Sequence, residues 1–377
     1  MKFKHPREHI IKDLSELKKL EQSTLDLTNT TLQGLDLREV ITDWTRWTLD
    51  NTTLLGCRLP LPLELEARRR GVYIYRAPKG LPYRPFRPSL YTWRELLEGY
   101  SDQEDNSKDL QIYHHFSRHR YNPPINEALW QRIHDHSIDD ALRELLAFDQ
   151  HGMTSLRCIG FMGGHSVRRD MPYFSLSAKT AKILTEADYF VVSGGGPGIM
   201  EAANLGAYMA GRSEEELEEA LAILAEAPHY TSPGYHEKAL IVLDRFPTGG
   251  DSLAIPTWFY GHEPSNLFAS YIAKYFSNSL REDTLLAISL YGIVFAPGSA
   301  GTTQEIFMDA TQNHYGTFNY YSPMVFLGSY RYQIETMIYP LLKQLAHGRD
   351  YARLIYLTDS PEEVLAFLQK HPPVPVT

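Results

Sequence analysis

Two glycine-rich segments of this sequence could form turns that bind an anion. The first, Ser-Gly-Gly-Gly-Pro-Gly at 193–198, follows the β-branched and aromatic run 190–192. The second, Pro-Gly-Ser-Ala-Gly-Thr at 297–302, follows the apolar run 293–296. A strand, a glycine-rich turn and a helix N-terminus direct free backbone N–H groups and the positive end of the helix dipole at one point. The pair of turns predicts a phosphate site, although an ordinary strand-to-helix turn would explain either one alone.

The spacing of these glycines favours a mononucleotide over a dinucleotide. A dinucleotide fingerprint, Gly-x-Gly-x-x-Gly, opens the first βα turn of its domain and is followed about twenty positions later by an acidic residue. In this sequence the stronger glycine cluster follows the second predicted strand of the α/β region. A ligand with a single phosphate is therefore the better interpretation.

The two turns together resemble a known family. Residues 194–204 read Gly-Gly-Gly-Pro-Gly-Ile-Met-Glu-Ala-Ala-Asn, and residues 297–305 read Pro-Gly-x-x-Gly-Thr-x-x-Glu. Both motifs are similar to those of the LOG (Lonely Guy) family, and the resemblance covers roughly residues 156–368. It implies a hydrolase that splits nucleoside 5′-monophosphates into free base and ribose 5-phosphate without a metal or other cofactor. The larger bacterial pyrimidine/purine nucleotide monophosphate nucleosidases are similar.

The resemblance also implies which residues form the site. Glu305 matches the family's catalytic glutamate, and Arg281 is the candidate for its arginine partner. A fixed carboxylate stabilises the positive charge that develops on the ribose as the N-glycosidic bond breaks, and it can orient or deprotonate a water. The arginine would keep that carboxylate ionised or contact substrate oxygens. The residues expected to bind the substrate and its phosphate are Gly164, Ser166, Gly194, Gly195, Gly196, Gly198, Met200, Glu201, Gly298, Ser299, Gly301 and Thr302.

Three local features bear on how closely the family pattern applies. Ser299 stands where many relatives have glycine, which adds a Cβ beside the phosphate turn. Arg281 precedes Pro297 by sixteen residues, one more than the family pattern, so a one-residue shift in its helix is implied. The segment 261–266 resembles the Glu-Pro-Pro-Asn segment of the larger nucleosidases. It is interpreted either as closing a base pocket or as the entry turn of a helix.

The elements that must position these residues alternate between strands and helices from residue 156 onward. This order predicts an α/β fold with a doubly wound, mainly parallel, Rossmann-like sheet, whose ligand lies beyond the carboxyl ends of the strands. A helix is predicted over 266–289. Thr302 is predicted to cap the helix after the second turn, with Glu305 completing a capping box. Strands are predicted at 158–162, 190–192, 240–243, 293–296, 324–327 and 355–357, and a further strand is possible within 251–257.

The first 150 residues fall outside the resemblance. A roughly five-residue spacing of large apolar residues resembles pentapeptide repeats, whose central side chains stack inside a β-helix, although chance spacing remains an alternative. The residues concerned are Leu27, Leu32, Leu37, Trp44, Leu49, Leu54 and Leu59. The predicted organisation is a pentapeptide-repeat-like cap at 1–60, a linker and helical extension at 61–150 (extended over 60–88), the nucleotide-binding domain at 151–370 and a tail at 371–377.

Composition narrows the class of protein. The 377 residues are 43% hydrophobic and 22% charged, as in ordinary globular proteins. A net charge of −9 disfavours a nucleic-acid surface, which would be basic. Two distant cysteines, no long apolar run and no signal-like N-terminus predict a cytoplasmic protein without a membrane partner. His115 and His119 have the helical spacing of metal ligands, but no further ligand completes a set, so no metal is predicted.

The residues leave the reaction itself open. The leading hypothesis is hydrolysis of a nucleoside 5′-monophosphate. The alternative is a nucleotide-binding or sensing protein that uses the same phosphate site without catalysis. DNA binding and lysine decarboxylation are weaker interpretations, since the charge is acidic and no lysine is marked for a pyridoxal cofactor. Analogy with the family predicts a homodimer or higher homo-oligomer.

Overall fold

The computed structural model describes residues 9–41, 43–76, 78–101, 104–149 and 151–376. Residues 1–8 of the predicted cap and Thr377 of the predicted tail lie outside the described residues. The chain divides into two compact units. The first comprises Met1–Ser89 and Pro123–Ala141, and the second comprises Leu90–Asn122 and Leu142–Thr377. Helix α5 (Ile125–Leu146) contributes residues to both.

The first unit contains a four-stranded parallel sheet in the order β1-β2-β3-β4. Strand pairing joins Thr31 to Thr53, and isolated bridges join Asp26 to Thr48 and Asp36 to Arg58. The two residues of each pair are 22 positions apart. The chain therefore makes one complete turn, from one strand to the next parallel strand, in 22 residues. Its elements are β1 (His9–Ile11), α1 (Leu14–Ser23), β2 (Thr30–Gln33), β3 (Thr53–Leu55), α2 (Leu61–Arg69) and β4 (Tyr73–Tyr75).

The periodic apolar residues form the core of this unit. Six of the seven are at most 3% exposed, and Leu59 packs against the same cluster. Helix α2 contributes Ala67 to that cluster. Because α2 and β4 lie in the segment 60–88, the prediction of an extended connector there is wrong over both elements. Pro62 lies in the first helical turn, where proline is compatible with a helix because the N–H it lacks would have no intrahelical partner, so a proline-rich segment can still be helical.

The second unit is built on a seven-stranded sheet in the order β10-β9-β8-β7-β11-β13-β14, and every neighbouring pair is parallel. Helices lie on both sides of it, so the predicted α/β, doubly wound, Rossmann-like fold is confirmed. The strands of the sheet are β7 (Cys158–Met162), β8 (Phe190–Ser193), β9 (Leu253–Ala254), β10 (Tyr271–Ile272), β11 (Ile293–Phe295), β13 (Met324–Leu327) and β14 (Ile355–Thr358). Two short antiparallel pairs are β5 (Tyr100–Ser101) with β6 (Glu104–Asp105), and β12 (Tyr320–Tyr321) with β15 (Val374–Pro375).

Helices connect these strands. Among the described residues, none is long and apolar enough to cross a membrane. The remaining helices are α3 (Trp93–Leu97), α4 (Lys108–Ser117), α6 (Pro172–Glu186), α7 (Ile199–Tyr208), α8 (Glu214–Ala225), α9 (Tyr235–Arg245), α10 (Asn278–Ile288), α11 (Ala300–Tyr315), α12 (Ile338–Leu345) and α13 (Pro361–Lys370), with a π-helix at Tyr330–Glu335 and a 3-10 helix at Asp350–Leu354.

Two predicted elements are wrong. The apolar run 240–243 lies inside α9, where Ala239 and Val242 pack into the core while Ile241 is exposed. A short apolar run fits a buried strand and a helix face equally well, which explains the error. The third strand is β9. The helix predicted over 266–289 begins only at Asn278, because the preceding residues include β10, which pairs with β9 at the edge of the sheet.

The strand order places the topological switch point between β7 and β11. From β7 the chain continues outward to β8, β9 and β10, whereas from β11 it continues to β13 and β14 on the other side. In open α/β sheets the crevice at such a point is where ligands bind. The turns after β7, β8 and β11 therefore lie at the carboxyl edge where a site is expected.

Candidate functional site

The turns after β7, β8 and β11 are in direct contact. The Gly164 N–H donates to the Pro297 carbonyl at 2.9 Å, and the Ile199 N–H donates to the Gly164 carbonyl at 3.2 Å. A Cβ added at Gly198 would lie 2.3 Å from the Gly164 oxygen, so only glycine permits this approach. The turn after β7 thus connects the two glycine-rich turns, which the sequence predicted to converge.

Two helix N-termini begin at this junction. Helix α7 follows Gly198, which has φ +69°, and α11 follows Ser299; neither cap residue makes a side-chain hydrogen bond to its helix. The N–H groups of a first helical turn have no intrahelical partner, so both helix starts can present N–H donors to an anion. The start of α11 corrects one prediction. Its cap is Ser299 rather than Thr302, so Glu305 lies in the second turn and forms no capping box.

A cleft of about 730 Å³, measured out to its open mouth, lies over this junction. Of the fourteen residues predicted for the site, eight line the cleft: Gly164, Gly194, Met200, Arg281, Ser299, Gly301, Thr302 and Glu305. The structure therefore brings these eight residues together around one cleft.

The other six predicted residues do not line the cleft. Three of them are glycines that shape the turns. A Cβ at Gly195 would lie 2.7 Å from the Pro256 ring, one at Gly196 would lie 2.7 Å from Glu263 Oε2, and one at Gly298 would lie 2.0 Å from Thr302 Oγ1. Their contribution is to allow close packing. The remaining three are Ser166, which is exposed, Gly198, described above, and Glu201.

Glu201 is occupied elsewhere. Its Oε1 and Oε2 accept hydrogen bonds from the Arg169 guanidinium at 2.5 and 2.9 Å, and Oε2 also accepts from the Tyr235 hydroxyl at 2.7 Å. All three side chains are buried. Because the guanidinium neutralises this carboxylate, Glu201 does not oppose an anion at the start of α7, although it lies in that helix's first turn.

Glu305 and Arg281 form the charged pair of the cleft. Arg281 Nη1 lies 3.2 Å from Glu305 Oε1, and the two side chains are only 10% and 13% exposed. Arg281 also donates through Nη2 to Asn278 Oδ1 at 3.0 Å. The one-residue offset of Arg281 therefore does not prevent it from reaching Glu305. The pair is held by two different helices, α10 and α11, and both residues face the cleft.

The environment of Glu305 makes it more basic than an exposed glutamate. Burial raises the pKa of Glu305; Arg281 opposes this and Glu282 adds to it, so that the pKa lies above its ordinary value. Glu282 is held by hydrogen bonds from Asn278 Nδ2 at 2.7 Å and from Gln304 Nε2 at 3.0 Å. A carboxylate of raised pKa is a better acceptor for a proton from water. Before it takes that proton, the neighbouring arginine partly compensates its negative charge.

Several contributors to the site were missed from the sequence. The cleft is also lined by Phe161, Met162, Thr257, Tyr260 and Gly261, and the resemblance of segment 261–266 was the one signal pointing near them. Arg331, on the π-helix, donates through Nη2 to the Gly298 carbonyl at 2.5 Å and so holds the second glycine turn. No motif marks Arg331, because it reaches the turn from 33 residues away.

Histidine and acidic residues do not assemble into a metal site in the part of the chain that the structure describes. No group of three or more His, Cys, Asp or Glu side chains is placed there to hold an ion. His165, Gly163 and Glu263 also line the cleft, where His165 and Glu263 add polar groups. Glu305, Arg281, Glu263 and His165 thus line the cleft together with the two helix N-termini.

Comparison with known proteins adds little to this geometry. No protein-family model matches the chain, and no curated protein does. Solved structures that it resembles include a molybdenum cofactor binding protein from the phototrophic bacterium Rippkaea orientalis, with 12% identity, a TM-score of 0.36 and coverage of 57% of this chain and 96% of that one. Another is the Moco carrier protein from Chlamydomonas reinhardtii, with 14% identity, a TM-score of 0.36 and the same coverage of each chain. Similarity this low carries no argument, and the fold is assigned from the strand order alone.

Proposed function

We propose that this protein hydrolyses the N-glycosidic bond of nucleoside 5′-monophosphates, giving free base and ribose 5-phosphate. The observation that carries the proposal is the Glu305–Arg281 pair, which lies in the same cleft as the starts of α7 and α11. A cleft with an anion site alone would suit any phosphate compound. The addition of a partly buried carboxylate that faces the same space favours a reaction in which positive charge develops near the phosphate.

The start of α11 is the proposed phosphate site. Ser299, Gly301 and Thr302 all line the cleft there, so a phosphate could accept hydrogen bonds from backbone N–H groups and from hydroxyls. A phosphate monoester carries a charge of about −1.5 to −2 near neutral pH, which the positive end of the helix dipole favours. Arg331 supports this turn through the Gly298 carbonyl and keeps its backbone in place.

The proposed reaction needs no atom beyond substrate and water. The bond between the anomeric carbon and the base nitrogen breaks, and its electron pair leaves with the base, which takes up a proton from the solvent. Glu305 returns to the solvent the proton that it later receives, so the protons balance. The ribose then carries positive charge, which the Glu305 carboxylate stabilises. Water adds to the anomeric carbon and loses a proton to Glu305, whose raised pKa suits it to that role. Arg281 holds the carboxylate in position.

A second candidate function, nucleotide binding without hydrolysis, is favoured by one observation. Ser299 lines the cleft at the cap of α11, where it places a side chain at the phosphate turn. If that side chain displaces the ribose from Glu305, the cleft would bind a nucleotide but not cleave it.

The predicted homodimer also stays a proposal, with family analogy as its only support.

The test is to incubate pure protein with AMP, GMP, CMP, UMP and an N6-modified AMP, and to quantify free base and ribose 5-phosphate. We expect the two products in equal amounts from at least one nucleotide. Titration calorimetry with the same nucleotides separates the candidates. Binding without products supports the second function, whereas neither binding nor products contradicts both.

A further inference from the structure

The loop 257–266 forms one wall of the cleft and has little regular structure of its own. Thr257, Tyr260, Gly261 and Glu263 all line the cleft. No helix or strand of the sheet falls within these ten residues. A segment of this kind keeps one conformation only if side chains hold it, because ordering each backbone residue costs about 1–2 kcal/mol.

One buried carboxylate holds both ends of this loop. Asp109, in the first turn of α4, accepts a hydrogen bond at Oδ1 from Trp258 Nε1 at 2.7 Å. Its Oδ2 accepts another from the Ser265 hydroxyl at 2.8 Å. All three side chains are buried, with Asp109 itself 2% exposed. The two donors lie seven positions apart, so one carboxylate connects both ends of the loop. We call Asp109 and its hydrogen bonds to Trp258 and Ser265 the brace.

The brace is charged and fully compensated. Lys274 Nζ donates to Asp109 Oδ2 at 2.8 Å and is equally buried. Burial by itself would raise the pKa of Asp109, but Lys274, His262 and the Ser265 hydroxyl outweigh it, so the pKa lies below its ordinary value. The carboxylate is therefore ionised, and hydrogen bonds to an ionised acceptor are about twice as strong as neutral ones.

The chain around α4, residues 105–121, also contacts the middle of the loop. His262 Nε2 lies 3.5 Å from Asp105 Oδ2, and the His262 ring lies 5.8 Å from that of Tyr113. The ring of Phe259 meets Tyr121 edge-on at 6.2 Å. Residues 105–121 thus follow the loop along its length, although they precede the first strand of the sheet.

We propose that Asp109 is a positioning residue, which fixes loop 257–266 so that its cleft-lining residues form the nucleoside side of the site. Residues 105–121, which precede the seven-stranded sheet in the sequence, then help to form the site. The proposal rests on the proposed function only in taking the cleft as a nucleotide site; the bracing of the loop does not depend on it.

The first test measures the loop itself. Trp258→Phe and Ser265→Ala each remove one donor to Asp109 and leave its ion pair with Lys274 in place. Matched controls are Trp44→Phe and Ser137→Ala, which remove buried donors to the carbonyls of Leu63 and Pro85. We expect hydrogen exchange in 257–266 to become roughly tenfold faster or more in the two test variants, as loss of a hydrogen bond to a charged group implies, and unchanged in the controls. Unchanged exchange in both test variants would overturn the proposal.

The second test measures ligands, with inorganic phosphate and AMP as probes. Positioning of the nucleoside side predicts that Trp258→Phe and Ser265→Ala weaken AMP binding several-fold. Phosphate binding should stay within about twofold, since the proposed phosphate site is the start of α11 and not the loop. Equal losses for both probes, or no loss for AMP, would count against the proposal. Binding of AMP without cleavage by the wild type contradicts the proposed function but leaves the brace intact. If the wild type binds no AMP, the exchange result decides the brace alone.

Discussion

Replacing Gly198 with alanine should disrupt the junction at which the three turns meet. Gly198 has φ +69° and ψ −128°, a conformation that L residues rarely adopt and that costs of the order of 1–3 kcal/mol. The added Cβ would lie 2.3 Å from the Gly164 oxygen and 2.9 Å from the His165 oxygen. Both neighbours are backbone atoms, so relief requires a shift of the turn, at a further cost of about 1–3 kcal/mol. The expected loss in the free energy of unfolding is therefore about 2–6 kcal/mol.

The assay is urea denaturation combined with calorimetry of inorganic phosphate binding. Gly301→Ala is the matched control for the stability measurement alone, because Gly301 itself lines the proposed phosphate site. Gly301 lies in the first turn of α11, and an added Cβ there would meet no heavy atom within 4 Å. Alanine favours helix over glycine by up to about 1 kcal/mol, so this control should leave stability unchanged or slightly higher. Wild-type stability and wild-type phosphate affinity in Gly198→Ala would refute the reasoning, because the turn would then not depend on a missing Cβ.

Three further predictions follow from the charges and the assembly. Arg281→Gln removes the group that opposes the burial of Glu305, so the pKa of Glu305 rises further and the acid limb of kcat/KM against pH moves to higher pH; an unmoved limb would exclude Glu305 as its source. Burial raises the pKa of Asp309 well above its ordinary value, so wild-type stability falls by up to about 1.4 kcal/mol per pH unit as pH rises from the ordinary aspartate pKa toward the raised one. Asp309→Asn should lack this decline in a denaturation series taken upward from about pH 4, and parallel declines would contradict the assignment. Sedimentation equilibrium should give twice the chain mass if the protein is a homodimer, whereas a monomer mass at all concentrations would reject it.

The sequence revealed the centre of the sheet and the edge at β14 better than the edge formed by β9 and β10. The strands β7, β8 and β11 are apolar, buried and followed by glycine turns. Their composition and the glycines at their ends therefore both identify them in the sequence. Strands β9 and β10 are two residues long and have no pattern of their own. Their pairing is fixed by neighbours in space, and the longer apolar run in α9 was mistaken for the missing strand.

The site was predictable to the extent that it is encoded in local motifs. Glu305 and the start of α11 fall in one continuous stretch, and Arg281 followed from the same resemblance. Asp109 had no such signal, because its partners Trp258 and Lys274 lie 149 and 165 residues away along the chain. A buried aspartate looks like any other acid on a helix until the fold brings those donors to it.

The proposed activity depends on the ionisable carboxylate at position 305. The most direct measurement compares the rate of free-base release from AMP by the wild type and by Glu305→Gln at saturating AMP, with AMP binding verified by calorimetry. Glu218→Gln, which changes an exposed glutamate paired with Lys179, is the control. We expect a loss of about 100-fold or more in kcat for Glu305→Gln, retained AMP binding, and no change in the control. Equal rates in wild type and Glu305→Gln would contradict the proposed role of Glu305.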